Sequence, residues 1–444
     1  MLNKVIRLWR YEFLVWEFAV IVFTFLAMEG IFNWLLMPIS IVELMYEKLL
    51  SIAIFGFVLY KFRDLTRGER IMIFAVLVML VRLVIESLIK YGTVMQEFTM
   101  YTILYPVIFT VYIKWLCRTY QLDFLPFVAK FYIWLYIGFM IIYGRGFSFS
   151  LNEVIMDDYG PFSGDSRIIH ARSIFMMIIP MLWYLMRSIN RDYKGLVPFA
   201  ICVVVILIHQ HRSVWASSVV ALIVFLFAAY RNHYISFVKL FKISMAALIL
   251  LVGVWFIVSS TSPKMIDFFE ERGSEILNPT REGGTGEFRA QQRLVYFQYV
   301  LQRPVFGWTF EGFEMPNPLV DWWPAKSGQH FHEGYMEMLF YEGIAGLILK
   351  YAIAIYMLVK AFSKRLSQES VVLVAFGVAG MVFSFSYVLP LIYYGMMGLG
   401  WYYIEKDAGP AITKRKEEDE EQREESNDNL LNLLKNKQPN GYLQ

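Results

Sequence analysis

The sequence predicts an all-α membrane protein: a bundle of about 12 transmembrane helices with a large, partly helical loop on its periplasmic or extracellular side. Of the 444 residues, 57% are hydrophobic and only 18% are charged, a balance that is unusual for a soluble chain of this length. Apolar runs repeatedly reach the roughly 20 residues that cross about 30 Å of hydrocarbon. The runs are continuous rather than alternating, which favours helices over a β-barrel.

The predicted spans are 13–31, 44–61, 70–89, 98–114, 124–143, 168–187, 196–210, 213–230, 236–258, 335–360, 370–387 and 388–404. Lys4, Arg7 and Arg10 precede the first of them, and no small-residue cleavage site follows it. We therefore expect a retained first helix rather than a removed signal peptide.

Lysine and arginine clusters occur at every second connection between spans, as on the cytoplasmic side of a membrane. Both termini are therefore predicted to be cytoplasmic. The chain divides into a transmembrane bundle at 1–258, an outer loop at 259–334, three further helices at 335–404 and a charged tail at 405–444. The tail mixes acidic and basic runs and is expected to be disordered.

The outer loop is too long for a simple connector and too rich in aromatic residues for a disordered one. Its segment Glu287–Gln302 predicts a helix that ends before Pro304. Arg289 and Arg293 lie four residues apart, on one face of that helix. They could present two cations to one anion, or form a solvated face paired with acidic residues.

Two further groups of residues are predicted at the outer face. Arg212 follows His211 at a turn between apolar helices, where a guanidinium can bind phosphate oxygens or extend to the membrane interface. His332 precedes the tenth span, and a histidine can serve as a general base near neutral pH. His330, two residues earlier, suggests a metal pair, but the spacing fits no strong zinc motif and no metal site is predicted.

Charged residues also lie within the predicted spans. Arg82 and Glu86 are four apart in the third span and predict an internal ion pair. Arg172, at the outer start of the sixth span, could extend a phosphate-binding rim or anchor the helix at the interface. Lys350 lies inside the tenth span and needs a partner.

The order and spacing of these pieces resemble the O-antigen ligase and O-antigen polymerase superfamily over about 201–351. The matching pieces are Arg212-Ser213 with Trp215, then Arg289, the Arg-Pro-x-x-Gly-Trp run Arg303–Trp308, the run His332–Glu337 and the run Glu342–Leu347. Two positions depart from the family pattern. Glu333 stands where asparagine usually follows the histidine, and Arg293 stands where an aromatic residue is often found.

The resemblance implies a GT-C-like, metal-independent glycosyltransferase of the bacterial inner membrane, with its active site facing the periplasm or exterior. The donor would be a glycan on undecaprenyl diphosphate. The acceptor would be lipid A-core, for a ligase, or another lipid-linked repeat unit, for a polymerase of O-antigen, capsule or exopolysaccharide. Membrane lipids are expected partners, whereas no cofactor and no nucleic acid are expected.

On this interpretation Arg212 and Arg289 stabilise the leaving diphosphate, and His332 deprotonates or orients the attacking hydroxyl. The expected substrate-binding residues are Arg293, Arg172, His211, Glu333, Tyr335 and Trp308. Trp308, Trp322 and Trp323 could stack on sugars or form the core of the loop. A polysaccharide transporter or flippase is the alternative, although the sequence lacks the inverted repeats of many transporters.

Overall fold

The computed structural model describes residues 5–8, 11–14, 40–142, 171–209, 211–239, 285–319, 328–329 and 331–408, with isolated positions between 241 and 260. The first helices are α1 (Ser40–Tyr60), α2 (Arg67–Tyr91), α3 (Met95–Phe98), α4 (Tyr105–Tyr120), α5 (Leu125–Ile142), α6 (Ala171–Met176) and α7 (Ile178–Ile189). They are followed by α8 (Leu196–Ile208), α9 (Arg212–Arg231), α10 (Thr285–Gln302), α11 (Thr309–Glu314), α12 (Gly334–Ser363), α13 (Gln368–Phe383) and α14 (391–408).

The predicted helical membrane fold is confirmed in its main features. Within the described ranges, five segments are long and apolar enough to cross a membrane: Arg67–Tyr91, Met95–Tyr120, Ala171–Ile189, Arg212–Arg231 and Gly334–Ser363. Shorter apolar helices lie at the spans predicted at 44–61, 124–143, 196–210 and 370–387, and α14 overlaps the span predicted at 388–404. The spans predicted at 13–31 and 236–258 lie largely outside those ranges.

Within the described residues, a pair of short strands departs from the all-α prediction. Strands β1 (Val5–Leu8) and β2 (Tyr11–Leu14) pair antiparallel, with Val5 opposite Leu14 and Leu8 opposite Tyr11. The chain reverses within two residues, so the prediction of helix from Phe13 onward was wrong for the first two residues of that span. Apolar composition alone does not distinguish a short strand from the start of a helix.

Local sequence signals explain where α2 begins and ends. The Thr66 hydroxyl accepts a hydrogen bond from the Glu69 N–H at 3.4 Å, and the Glu69 carboxylate accepts one from the Thr66 N–H at 2.7 Å. This reciprocal capping box satisfies two amide donors that the first helical turn leaves unpaired. The helix ends at Gly92, whose φ of 67° is the left-handed conformation that glycine adopts without steric strain.

A polar network ties together one end of the bundle, here called the basic end. Lys114 Nζ lies 2.9 Å from the Glu405 carboxylate and 3.3 Å from that of Glu69, and both Lys114 and Glu69 are buried. Arg118 reaches the other Glu69 oxygen at 3.1 Å. A buried ion needs such a complete set of partners because its desolvation is costly.

Helices α9 and α13 pack along their lengths and run antiparallel. At the basic end, the side-chain oxygen Oδ1 of Asn232 accepts a hydrogen bond from the Leu366 N–H at 2.6 Å. Leu366 lies just before the start of α13. The Tyr234 hydroxyl donates to the Leu366 carbonyl at 2.9 Å. Arg212, at the other end of α9, therefore lies at the end of the bundle where α13 finishes.

The outer loop lies at this opposite end, here called the loop end. Helix α10 packs on the first half of α12, and a small aromatic core separate from the main core of the bundle fills the space between them. This loop core consists of Tyr296, Val300, Trp308, Met336, Phe340 and Tyr341. Each large side chain buried in this way contributes about 1.5–3 kcal/mol, so the loop has its own folded core.

Candidate active site

The loop is joined to the bundle at a break in α12. Gly343, inside this helix, has φ 64° and ψ −164°, so the helical hydrogen bonds are interrupted there. The N–H groups of Ile344 and Ala345 donate instead to the carbonyl oxygens of Pro304 at 2.8 Å and Val305 at 3.0 Å. Loop backbone thus replaces the missing turn of helix and fixes the loop to α12.

Two glycines make this joint possible. A Cβ on Gly343 would lie 2.4 Å from the backbone of Val305, and a Cβ on Gly307 would lie 2.5 Å from the backbone of Tyr341. Gly307 also has φ 69°, which a residue with a side chain rarely adopts. The Arg-Pro-x-x-Gly-Trp and Glu-Gly motifs of the sequence are therefore the two halves of one backbone contact.

Charged side chains fasten the same loop segment to α2. Arg303 lies 2.7 Å from the Glu311 carboxylate, and its guanidinium carbon lies 4.1 Å from the centre of the Trp308 ring. Lys90 Nζ approaches the same Glu311 carboxylate to 2.8 Å. Burial by itself would raise the pKa of Glu311, but hydrogen bonds from Lys90 and Arg303 outweigh it and hold that pKa below its usual value.

The ion pair predicted between Arg82 and Glu86 is confirmed. The guanidinium of Arg82 also lies 4.7 Å from the centre of the Phe306 ring, so it contacts the loop as well as its own helix. Lys350 likewise has the partner that its position requires, because its ammonium group contacts the buried carboxylate of Glu342.

Trp308 belongs to the core of the loop. Its indole N–H donates to the Tyr299 carbonyl at 2.8 Å, and its backbone N–H donates to the Phe340 carbonyl at 2.7 Å. With the ring buried between these elements, core packing is the interpretation that the structure favours over sugar stacking. Trp322 and Trp323 lie outside the described residues, as do His330 and the remainder of the loop before Thr285.

His332 is held against α10. Its backbone N–H donates to the Gln292 side-chain oxygen at 3.3 Å, and its ring meets the Phe288 ring edge to face, with centroids 5.6 Å apart. Phe288 and Gln292 are four residues apart and therefore share one face of α10. Arg289 follows Phe288 on α10, so Arg289 and His332 both lie at the contact between α10 and the segment that precedes α12.

The guanidinium of Arg289 extends towards the end of α13. Its carbon lies 5.5 Å from the centre of the Tyr387 ring. Tyr387 packs against the segment that follows His332. A Cβ added to Gly334 would lie 2.8 Å from the Tyr387 carbonyl oxygen. Within the described part of the chain, Arg289 Nε is buried and has no hydrogen-bond partner. A buried guanidinium N–H in this state is suited to an anionic ligand.

Arg172, from the start of α6, interacts electrostatically with both Tyr387 and Glu337. Arg172 and Arg289 therefore both lie near Tyr387, and phosphate binding by either residue stays a prediction. Arg212 lies at the same end of the bundle by the antiparallel packing of α9 and α13. Helices α6, α9, α10 and α12 thus bring predicted site residues to one end of the molecule.

Glu337 and Tyr387 were missed by the sequence analysis. Glu337 Oε2 is buried, and no group in the described ranges hydrogen bonds to it. An ionisable residue inside an apolar helix is a signal of function that could have identified Glu337. Tyr387 has no such signal, because only the tertiary contacts with Arg289 and Gly334 distinguish it from the other aromatic residues of the chain.

Arg293 and Glu333, both predicted to bind substrate, bind each other. Arg293 Nε lies 2.8 and 2.7 Å from the two Glu333 carboxylate oxygens, and its terminal Nη2 also contacts the carboxylate. The two-pronged contact joins α10 to the residue that precedes α12. Hydrogen bonding to Glu333 raises the pKa of Arg293.

Two other predicted substrate-binding residues are packed into the bundle. The Tyr335 hydroxyl donates to the Met381 carbonyl at 2.8 Å, and its ring stacks on Tyr351 with centroids 5.3 Å apart. His211 is buried immediately before α9, and its ring lies parallel to that of His209 at 6.4 Å. These contacts position helix ends, and substrate contact by either residue stays a prediction.

The part of the chain that carries these residues is similar to a known family. A family model described as O-antigen ligase matches residues 197–351, about a third of the chain. The match includes Arg212, Arg289, His332 and both glycines of the joint. No curated protein matches the chain. Over residues 197–351 the match confirms the resemblance that the motifs predict, and it supports a membrane glycosyltransferase of the ligase or polymerase type.

Proposed function

We propose that this chain, through its O-antigen ligase-type domain at residues 197–351, transfers a glycan from undecaprenyl diphosphate to a hydroxyl group of an acceptor at the outer face of the bacterial inner membrane. The observation that carries the proposal is the position of Arg289: its buried Nε has no hydrogen-bond partner in the described part of the chain, and its guanidinium carbon lies 5.5 Å from the centre of the Tyr387 ring, beside the segment that bears His332. Arg172 adds a second cation that acts electrostatically on Tyr387. Two cations from different helices, next to a histidine, suit a reaction in which a diphosphate leaves and a hydroxyl attacks.

In the proposed step, the acceptor oxygen attacks the anomeric carbon of the donor glycan. The bond from that carbon to the diphosphate oxygen breaks, and its electron pair stays with the departing undecaprenyl diphosphate. Arg212 and Arg289 stabilise the negative charge that develops there, and Arg172 extends their field. His332 accepts the proton of the attacking hydroxyl.

Fixed guanidinium groups suit this role because they remain charged at any physiological pH and donate in a planar fork that fits phosphate oxygens. They supply the charge stabilisation that a bound Mg²⁺ ion supplies in many phosphate-transfer sites. The proposed enzyme therefore works without a metal ion. Arg289 Nε, buried and without a partner in the described part of the chain, supports its assignment as one of these donors.

The proposal includes two acceptors that share this chemistry. A ligase transfers the glycan to lipid A-core, whereas a polymerase transfers it to another lipid-linked repeat unit. Purified protein supplied with lipid-linked repeat units alone distinguishes them. Chain extension identifies a polymerase, and transfer that requires lipid A-core identifies a ligase.

The residue assignments are tested by Arg212→Ala, Arg289→Ala and His332→Ala in cells that depend on this chain for long glycans. Each variant is expected to insert normally and to lower glycan formation at least about 100-fold, a typical effect of losing a charge-stabilising or proton-transfer group. Lys194→Ala, at an exposed position in the turn between α7 and α8, is the matched control and should retain full activity. Full activity in Arg289→Ala would contradict the assignment.

A further inference from the structure

We propose that Arg293 and Glu333 form a positioning pair that fixes His332, and that neither side chain binds the donor. This inference rests on the proposed function, because His332 is the base of that reaction. The inference is based on the two-pronged contact between the Arg293 guanidinium and the Glu333 carboxylate. The Nε atom of Arg293 lies 2.8 and 2.7 Å from the two carboxylate oxygens.

The pair is asymmetric in its burial. The Glu333 side chain is 4% exposed, whereas that of Arg293 is 52% exposed. A buried carboxylate without a partner is strongly unfavourable, so Glu333 depends on Arg293 much more than Arg293 depends on Glu333. The guanidinium edge formed by Nε and Nη2 is occupied by this carboxylate, and that edge is therefore not available to a diphosphate.

Neighbouring contacts connect the pair to His332. Gln292 accepts a hydrogen bond from the His332 N–H, and the next residue of α10, Arg293, binds the next residue of the segment, Glu333. Two consecutive residues of α10 thus hold the two consecutive residues that precede α12. This contact sets the position of the His332 ring against Phe288, at a centroid distance of 5.6 Å.

Arg293 and Glu333 carry opposite charges, lie 40 residues apart along the chain and contact each other. The contact therefore fastens α10 to the segment that bears His332.

The test compares Arg293→Gln, Glu333→Gln and the double variant in purified protein, with a lipid-linked glycan as the donor. In Arg293→Gln, an unpaired carboxylate remains beside His332 and favours its protonated form. The low-pH limb of the rate profile should move up by about one pH unit, and kcat should fall about tenfold with little change in KM for the donor. Glu333→Gln leaves an unpaired guanidinium and should move the limb in the opposite direction.

The double variant is expected to return the pH profile and kcat to within about threefold of wild type, because the remaining amide pair carries no net charge. Other charged or titratable side chains near this segment are unaltered in all three variants. They include Arg289, Arg172, Glu337 and Tyr387. Arg293→Lys keeps the positive charge and should leave the pH profile unchanged, even where the geometry of the pair is poorer.

A different outcome would overturn the proposal. Three results together would show that Arg293 binds substrate. Arg293→Gln would raise KM for the donor, and Glu333→Gln would be as active as wild type. The double variant would be no more active than Arg293→Gln. The pH dependence of His332 modification by diethyl pyrocarbonate, followed by peptide mass spectrometry, gives the same comparison without glycan transfer. If the pH dependence of His332 modification shifts in opposite directions in the two single variants, the pairing is supported even if no glycan transfer is found. If modification is unchanged in all variants, the pairing does not act on His332 and the proposal is excluded.

Discussion

Gly307 and Gly343 each lie against the peptide backbone that flanks the other, at the joint where the outer loop enters the break in α12. A Cβ on Gly307 would be 2.5 Å from the Tyr341 backbone, and one on Gly343 would be 2.4 Å from the Val305 backbone. Contacts this short between backbones leave no room for a side chain. The joint therefore holds α10, with Arg289, at a fixed position over the bundle.

Gly307→Ala should release the loop. The substitution combines an unfavourable left-handed conformation, about 1–2 kcal/mol, with a backbone clash that cannot relax without separating the two segments. We expect a loss of glycan transfer and increased hydrogen exchange in α10. Gly92→Ala is the matched control, because Gly92 has nearly the same φ, 67°, and nothing within 4 Å of the added Cβ. Equal effects of the two substitutions would contradict the role given to the joint.

The buried pair of Glu342 and Lys350 should be important for stability. Lys350→Met leaves the Glu342 carboxylate buried without its partner and is expected to destabilise the protein by about 3–5 kcal/mol. The double variant with Glu342→Gln should recover most of this loss. The exposed pair of Lys61 and Asp64, at 3.7 Å, is the control, and its removal should change stability by less than about 1 kcal/mol. Thermal unfolding in detergent measures each case, and a Lys350→Met variant as stable as wild type would contradict the pairing.

Glu337 should behave differently from Glu342. Lys350 contacts one carboxylate oxygen of Glu342, whereas Glu337 has no such ion pair in the described ranges and its Oε2 is buried without a hydrogen-bond partner. Glu337→Gln therefore replaces an incompletely satisfied carboxyl group and should leave the unfolding temperature unchanged or higher. Lys350 and Arg172 both act electrostatically on Glu337, so its carboxyl group lies in the same charged region as Arg172. We therefore expect kcat/KM to fall about tenfold in the stable variant. Unchanged kcat/KM would show that Glu337 has no part in the reaction.

Docking of the loop on α2 should weaken in acid. Lys90 and Arg303 hold the pKa of Glu311 below its usual value, so the stabilisation is complete above about pH 4.3 and is lost as the pH falls through the lowered pKa. Near neutral pH, Glu311→Gln should therefore increase hydrogen exchange in α11. At pH values well below that lowered pKa, the difference between wild type and variant should disappear. A difference that persists in acid would mean that the carboxylate charge is not what fastens the loop.

Several parts of this account could be predicted from the sequence, because they depend on local patterns. Apolar runs located most helices to within a few residues, and the four-residue spacing of Arg82 and Glu86 identified their ion pair. The helix from Thr285 to Gln302 was expected over Glu287–Gln302 because Pro304 prevents its continuation. The motif order placed His332 and Arg289 in one region, and the structure brings both to a shared interface of α10.

The remaining features depend on tertiary contacts that no local pattern specifies. Arg293 was expected to face an anion together with Arg289, but Glu333, 40 residues away, occupies its guanidinium edge. Tyr335 was expected at the substrate, but its hydroxyl bonds to the carbonyl of Met381 within the bundle. The direction in which a side chain points from the end of a helix is decided by the packing of neighbouring helices, and a single sequence does not determine it.

The measurement that tests the central proposal most directly is glycan transfer by the purified chain in liposomes that contain a glycan on undecaprenyl diphosphate, with excess chelator and with either candidate acceptor. We predict that wild type forms the transferred glycan and releases undecaprenyl diphosphate in equal amounts, and that Arg289→Ala does so at least about 100-fold more slowly. Absence of transfer by folded wild type with both acceptors, or equal rates for wild type and Arg289→Ala, would contradict the proposal.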